Sequence, residues 1–262
     1  MRQRRLTQFL NPASRTRVLL FALAAMIAIV AIPLLASETL RDLADYGLTR
    51  LRGQYTVQDR IEEFGPGVEA RLHDEFAAAG LAYPPTEIAY GAFKDIRRLQ
   101  VYGRMSARDP WRFVKEYRVQ AASGTLGPKI GSGDHQVPEG IYRVEALNPN
   151  SRYHLSLRLN YPNDFDRAAA QLDGRTNLGG DIMIHGARAS IGCLAMGNDT
   201  SEDLFVLAAL VGAEHVRVLI SPTDFRDPTS RVPSILSDWV RELYLTLRTE
   251  LRQYPPAPPP GS

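Results

Sequence analysis

The chain has 262 residues, of which 44% are hydrophobic and 23% charged, so it is long and apolar enough to form a sizeable core. Its formal net charge is +2, but five of its arginines lie within the first 17 residues, and without them acidic residues outnumber basic ones by three. The remainder therefore lacks the basic excess of a nucleic-acid-binding protein, and we expect no nucleic-acid partner.

Residues 18–36 form an uncharged apolar run of 19 residues. This length is sufficient for a helix to cross the hydrocarbon core, and the arginines of residues 1–17 should keep the amino terminus in the cytoplasm. We predict a retained single-pass anchor in the inner membrane, with the rest of the chain in the periplasm. A cleavable signal peptide is the alternative, although Leu34 is a poor outer residue for a cleavage site.

Residues 37–85 are predicted to form a helical stalk that holds the next domain away from the bilayer. Apolar residues recur at helical spacing between Ile61 and Phe76, and Gly80 is a plausible stop. The Gly-Pro-Gly sequence at 65–67 predicts a break in this helix. His73 is interpreted as a solvated helix residue, and Tyr83-Pro84-Pro85 as a stiff hinge.

Strands should dominate after the hinge. Residues 87–93 and 99–102 are predicted to pair about a turn, and residues 111–119 form a further strand. Residues 153–159 alternate leucine or tyrosine with polar residues, which indicates a strand buried on one face. His154 then lies on the wetter face, either solvated or lining a substrate groove.

The most informative stretch is residues 181–196, DIMIHGARASIGCLAM, which contains the only cysteine of the chain, Cys193. The apolar run 182–184 is predicted to be a short strand that ends at His185, and Gly192 allows a strained turn before the cysteine. An imidazole beside a thiol can take its proton and stabilise the nucleophilic thiolate. A buried structural cysteine is the alternative, but an unpaired thiol in an exported protein favours chemical use.

A helix and a strand are predicted after this stretch. Residues 199–201 offer cap groups for a helix that runs to Val211 and stops at Gly212, beneath the cysteine loop. Residues 216–220 follow as a strand, preceded by a structural His215.

The C-terminal region, residues 221–254, contains an amphipathic helix over 234–253. This helix is expected to pack on the domain, with a membrane surface or a partner protein as alternatives. Residues 255–262 are a proline-rich tail that we predict to be disordered.

The string Ile-His-Gly followed by Ser-Ile-Gly-Cys and then Met196 resembles the signature of the L,D-transpeptidase catalytic domain, the YkuD-like family of peptidoglycan enzymes. A second block, GSGDHQVPEGIY at residues 131–142, is similar to the glycine-rich segment of the same family. The likeness covers residues 86–220 and is greatest to the YafK-like branch. It implies a mainly β domain with flanking helices (α+β), built as a β-sandwich or a mixed sheet.

The resemblance implies roles for four residues. Cys193 is the nucleophile, His185 the general base, and the carbonyl of Gly186 orients the imidazole. The backbone N–H groups of Gly192 and Cys193 are the candidate donors for an oxyanion.

Four other residues are assigned to the substrate side. Arg188 is a candidate partner for a carboxylate of the peptide, with a solvated surface arginine as the alternative. Ser190 lies in the cysteine string. Asp134 and His135 offer polar contacts in the glycine-rich block, unless the block is a solvated loop or Asp134 caps a turn.

Two positions depart from the commoner family pattern, because Ile191 and Ala195 replace a histidine and an arginine. The predicted function is L,D-transpeptidation of stem peptides through a cysteine thioester, either to cross-link them or to attach a protein. A cysteine hydrolase that cuts the same kind of link is the first alternative. A catalytically silent wall-binding module is the second.

We expect neither a metal nor another cofactor. His135, His154, His185 and Cys193 are numerous enough to bind zinc, but none of them forms a short paired spacing such as HExxH or CxxC. Phosphate-binding GxGxxG and nucleophilic GxSxG strings are also absent from the sequence.

Overall fold

The computed structural model describes residues 54–230 and 237–259, which contain nine strands and four α-helices. The helices are α1 (Val57–Ala78), α2 (Asp164–Leu172), α3 (Asn198–Val211) and α4 (Asp238–Leu251), with a 3₁₀ turn at Ala213–His215. The strands are β1 (Glu87–Phe93), β2 (Arg98–Arg104), β3 (Arg112–Arg118), β4 (Ala121–Ala122), β5 (Gly140–Ser151), β6 (His154–Leu159), β7 (Met183–His185), β8 (Leu194–Ala195) and β9 (Val216–Ser221).

The strands form one mixed sheet in the order β3-β2-β1-β9-β5-β6-β7-β8-β4. Two neighbouring pairs, β1 with β9 and β7 with β8, are parallel, and the others are antiparallel. The prediction of a mainly β domain with flanking helices is confirmed. Of its two forms, the mixed sheet is the one found in the described residues.

The strands predicted on either side of residues 94–98 are found as β1 and β2, which pair as an antiparallel hairpin. Leu155, Leu157 and Leu159 of β6 are at most 1% exposed, as their alternation with polar residues predicts.

This alternation assigns the two faces of the sheet. One face carries the largest apolar cluster, which includes leucines of β6 and side chains of α1 and α3. The opposite face carries a second cluster, in which α4 packs over β1 and β9. His185 and Met183 alternate with the core residue Ile184, so they lie on this second face.

Helix α1 corrects two predictions for the stalk. It runs without interruption through Pro66, and its Val68, Leu72 and Phe76 are at most 1% exposed in the main core. Burying each of these side chains contributes about 1.5–3 kcal/mol, which offsets the helix hydrogen bond that Pro66 cannot make. The break predicted at residues 65–67 is therefore wrong, and this part of the predicted stalk is packed into the domain.

The cap of helix α3 lies two residues before the first predicted cap residue, 199. Gly197 is the residue at the cap position, and it supplies no side-chain hydrogen bond. The predicted cap residues 199–201 lie inside the first turn instead. The predicted stop is found, since Gly212 ends the helix with a φ of +93°.

Helix α4 lies within the predicted amphipathic segment and packs on the domain rather than presenting its apolar face to solvent. Leu243, Leu247 and Leu251 are at most 4% exposed, and Trp239 Nε1 donates to Asp173 Oδ2 at 2.7 Å.

The tail predicted to be disordered is held at its beginning. The Arg226 guanidinium donates to the carbonyl oxygens of Tyr254 (3.3 Å) and Pro255 (2.8 Å). The proline-rich tail is therefore ordered where it leaves α4.

Within the described residues, none of the helices combines the length and the apolar character that a membrane crossing requires. The predicted anchor at 18–36, the basic residues 1–17 and the first part of the predicted stalk lie outside those residues.

Candidate active site

The candidate nucleophile and base lie on neighbouring parallel strands. Strand β7 ends at His185, as predicted, and its Ile184 pairs with Leu194 of β8. This register places Cys193 level with Met183, on the same sheet face as His185. With ideal strand spacing, the Cα atoms of Cys193 and His185 are about 8 Å apart, which two side chains on one face can bridge.

The imidazole of His185 is held in one orientation. It is 2% exposed, and its Nδ1–H donates to the carbonyl oxygen of Gly186 at 2.6 Å. Because a carbonyl only accepts hydrogen bonds, the proton is on Nδ1, and Nε2 is free to act as a base. Burial lowers the pKa of His185, which favours this neutral form.

Tyr153 is a site residue that the sequence did not reveal. Its ring stacks on the His185 imidazole with centroids 4.7 Å apart and an interplanar angle of 27°. The alternation at residues 153–159 predicted a strand residue here, whereas Tyr153 lies in the tight turn between β5 and β6.

Gly186 must be a glycine because its surroundings leave no space for a side chain. An added Cβ would lie 2.7 Å from the Tyr153 carbonyl oxygen and 2.8 Å from Asn198 Oδ1. Its N–H donates to the Leu155 carbonyl (3.1 Å), and the next N–H, of Ala187, donates to Asn198 Oδ1 (2.8 Å). The carbonyl that orients His185 is therefore fixed from both sides.

The surroundings of Cys193 favour the protonated thiol. Cys193 is half-buried, and its Sγ lies 3.7 Å from the carbonyl oxygen of Asp181, to which it donates. Burial raises the pKa of the thiol and the Asp181 charge adds to this, although the Met183 N–H and the Lys129 charge act in the opposite direction. A raised thiol pKa favours the protonated form, so attack requires that the thiol proton pass to a base such as His185.

Two serine hydroxyls fix the backbone around the nucleophile. Gly192 has a φ of +90°, and its N–H donates to Ser123 Oγ at 2.6 Å. Ser190 Oγ donates to the Cys193 carbonyl at 2.6 Å and accepts from the Ser123 N–H at 3.2 Å. This corrects the predicted oxyanion donors, because Gly192 is already engaged and the Cys193 N–H is the one that remains. Ser190 supports the cysteine loop, and no sequence motif pointed to Ser123.

Asp134 caps a turn in the glycine-rich block. Its carboxylate accepts from the N–H groups of Ile130 (2.9 Å), Gly131 (3.0 Å) and Gln136 (3.0 Å), and it pairs with Lys129. Burial would raise the pKa of Asp134, but these hydrogen bonds lower it overall. Of the two predicted roles, the turn cap is the one that the contacts support.

Two predicted substrate residues are exposed. His135 follows Asp134 with a φ of +54° and a solvent-facing side chain. Arg188 is exposed on the loop between β7 and β8. Both remain accessible to a ligand that approaches Cys193.

A buried carboxylate connects the glycine-rich block to α4. Glu139 is 1% exposed, and it lies 2.9 Å from Lys94 Nζ. It also accepts from the Gly127 N–H (2.7 Å) and the Tyr244 hydroxyl (2.7 Å). Because each partner satisfies a group that would be costly to bury alone, this network holds the wall of the site in one conformation.

The other histidines do not join the site. His154 is not solvated as expected, since its Nε2 lies 3.0 Å from Glu202 Oε1 and its ring packs edge-on against Phe64. His73 is exposed as predicted, and His215 is exposed rather than structural. Among the residues that the structure describes, no three histidine, cysteine or acidic side chains converge on a metal position.

Comparisons with known proteins agree with the two sequence motifs. Residues 104–220 match the model of the YkuD family, the L,D-transpeptidase catalytic domain. The protein named putative L,D-transpeptidase YafK of Escherichia coli K12 is 38% identical over 140 residues, which are 52% of this chain and 54% of that protein. The chain therefore spans about half the length of the curated relatives that it matches.

Solved structures show partial likeness. The helical cell shape determining protein Pgp2 from Campylobacter jejuni is 24% identical, with a TM-score of 0.41 over 62% of this chain and 53% of that one. Bd1075 from Bdellovibrio bacteriovorus is 22% identical, with a TM-score of 0.39 over 66% of this chain and 56% of that one. The family resemblance predicted from the sequence is confirmed by the family model and the YafK match, and residues 104–220 match the YkuD family of L,D-transpeptidase catalytic domains.

Proposed function

We propose that this domain is a peptidoglycan L,D-transpeptidase that forms a thioester on Cys193. One observation carries the proposal: Cys193 and His185 share one face of two adjacent parallel strands, and the hydrogen bond to Gly186 leaves the imidazole Nε2 free as a base. The family match of residues 104–220 supports the choice of stem peptides as substrates.

The reaction begins from a neutral thiol and a neutral imidazole. As the sulfur attacks the carbonyl carbon of an L,D peptide bond, the thiol proton passes to His185 Nε2. The tetrahedral intermediate then collapses, the C–N bond breaks, and the imidazolium gives its proton to the leaving amine. An acceptor amine finally attacks the thioester, loses its proton to His185 and releases the thiol.

The negative charge on the intermediate needs a donor that is already in position. The Cys193 N–H is the candidate, because the serine contacts on either side of it hold the Gly192–Cys193 backbone in place. Tyr153, stacked on His185, limits rotation of the imidazole while the proton moves.

Intact-mass measurement of the full chain tests this mechanism. Incubation with a carbapenem or an uncross-linked muropeptide should add the mass of one acyl group, and Cys193→Ala should abolish the addition. A wild-type chain that forms no adduct with either reagent would contradict the proposal and favour the silent wall-binding module.

A hydrolase that uses the same thioester is the second candidate. Ile191 is 70% exposed and Ala195 is fully buried, at the positions where the commoner family pattern has a histidine and an arginine. An apolar side chain at the mouth of the site offers no hydrogen bond to an acceptor amine, which favours water as the acceptor. Incubation with cross-linked and uncross-linked muropeptides distinguishes the two, since new dimers indicate transfer and loss of an existing link indicates hydrolysis.

We also propose that residues 18–36 anchor the protein in the inner membrane with the catalytic domain in the periplasm. A wall-attached protein is the second candidate substrate in that compartment. The basic flank and the uncharged run support this orientation. Protease added to spheroplasts should degrade the catalytic domain of the full chain. Protection of that domain until the membrane is lysed would contradict the orientation.

A further inference from the structure

A cleft with an excess of arginine lies on the same sheet face as Cys193. It has a volume of about 660 Å³ and is framed by β5, the end of β6, the beginning of α2 and one residue of β9. Its lining includes four arginines and two carboxylates: Arg143, Arg158, Arg167, Arg217, Glu145 and Asp164. The size suits a peptide segment, and the lining has a net positive charge.

The cleft begins beside the reacting sulfur. Arg158 of β6 pairs with Met183 of β7, and Cys193 lies level with Met183 on the next strand. The Arg158 guanidinium is 3.3 Å from the Asp181 carboxylate, and the backbone carbonyl of Asp181 accepts the Cys193 thiol. When a substrate is acylated on Cys193, Arg158 is therefore within reach of the substrate residues closest to the thioester.

The far side of the cleft is within reach of a short peptide. Strand β8, next to Cys193, is three strand spacings from β5, which is about 14 Å. Four extended residues span about 13 Å, and a long arginine side chain covers the remaining distance. A stem peptide that lies across β7 and β6 can therefore bring its distal residues to Arg143.

Arg143 is the arginine best placed to receive a carboxylate. Arg217 is already paired with Glu250 at 2.9 Å, and Arg167 with Asp164 at 3.2 Å. Arg143 is exposed, and its guanidinium makes no ion pair with any residue that the structure describes. Its backbone is fixed at both ends, since its N–H donates to Asn160 Oδ1 (2.8 Å) and its carbonyl accepts from the Asn160 N–H (3.1 Å).

We propose that this cleft is a carboxylate-binding subsite for the distal residues of the peptide substrate, with Arg143 as its principal contact. The inference rests on the proposed function for the identity of the peptide. The fork of a guanidinium matches a carboxylate through two parallel hydrogen bonds, so an amidated carboxyl group should bind less well.

Binding to the full chain with Cys193→Ala, which cannot be acylated, tests the subsite without turnover. Calorimetry with a tetrapeptide muropeptide that has free carboxylates should give an affinity about tenfold higher than with the same peptide amidated. Arg143→Gln should remove that difference by weakening only the free-carboxylate peptide. Arg118→Gln, at an exposed arginine on the far edge strand β3, should leave both affinities unchanged.

Equal affinities for the two peptides, an unchanged affinity in Arg143→Gln, or no binding at all would each overturn the subsite. Intact-mass acylation of the wild-type chain reports separately on the proposed function. Acylation without a preference for the free carboxylate would contradict the subsite but not the proposed function. Binding with the predicted preference but without acylation would contradict the transpeptidase mechanism but not the subsite.

Discussion

Replacing Ser123 with alanine tests whether the backbone next to the nucleophile must be held by a side chain. The substitution removes the hydroxyl that accepts from the Gly192 N–H at 2.6 Å and lies 3.3 Å from Ser190 Oγ. A buried donor left unpaired costs about 1–3 kcal/mol, and because Ser123 is only half-buried, water can partly replace it. We expect a loss of about 1 kcal/mol in the free energy of unfolding.

The effect on acylation should be larger than a stability loss alone explains. Loosening the turn before Cys193 allows its N–H to leave the position that the oxyanion requires, and a loss of about 1.4 kcal/mol of transition-state stabilisation slows the step about tenfold. The assay is the rate of carbapenem acylation of the full chain, followed by intact mass in a single turnover.

Two further variants isolate the hydroxyl at this position. Ser123→Thr keeps the acceptor and should retain most of the rate. Ser106→Ala removes another loop hydroxyl that accepts a backbone N–H, from Arg108, and should leave acylation unchanged. Acylation of Ser123→Ala at the wild-type rate or faster would refute the reasoning, since it would mean that the Gly192 N–H need not be held.

Three other predictions use the same protein. Gly186→Ala should lower the melting temperature and abolish acylation, because the new Cβ would lie 2.7 Å from the Tyr153 carbonyl oxygen. Gly180→Ala, which has open space around it, should change neither property. A Gly186→Ala protein that is stable and active would contradict this prediction. Iodoacetamide should alkylate Cys193 with one pH midpoint above the ordinary value of 9.0, and a plateau at about pH 5–7 would instead indicate a thiolate–imidazolium pair. Burial raises the pKa of Asp166 from 3.8 to about 6, so the stability that its protonated form contributes is lost as pH rises through the higher value. Asp166→Asn should therefore reduce the fall in melting temperature between these two pH values. Asp164→Asn, at an exposed carboxylate, should leave that fall unchanged.

Local sequence patterns were sufficient to predict much of the sheet. The period-two alternation in β6 and the short apolar run before His185 predicted which side chains enter the core, because both depend on neighbours within the same strand. The nucleophile and base were proposed from a motif whose residues are close in sequence. The same patterns could not show that burial raises the pKa of the thiol and lowers the pKa of the imidazole, since that burial depends on residues distant in the chain.

The predictions that were wrong or incomplete have a common physical cause, which is contact between residues far apart in the chain. Pro66 was expected to break its helix, but packing of residues on both sides of it against the core prevents this. Ser123 is 69 residues from Gly192, and Glu202 is 48 residues from His154. No local spacing predicts such pairs. Tyr153 was interpreted as one residue of a half-buried strand, and its stacking on His185 is a further contact between residues far apart in the chain.

The buried carboxylate of Glu139 has partners on both sides of the segment that matches the family. The family match covers residues 104–220, but the hydroxyl that completes this network belongs to Tyr244, and Lys94 comes from the end of β1. Strand β1 also separates β2 from β9 within the sheet. A fragment trimmed to the family limits would leave the buried Glu139 side chain without two of its partners and would remove β1 from between β2 and β9. Expression of this domain should therefore retain everything from α1 to α4.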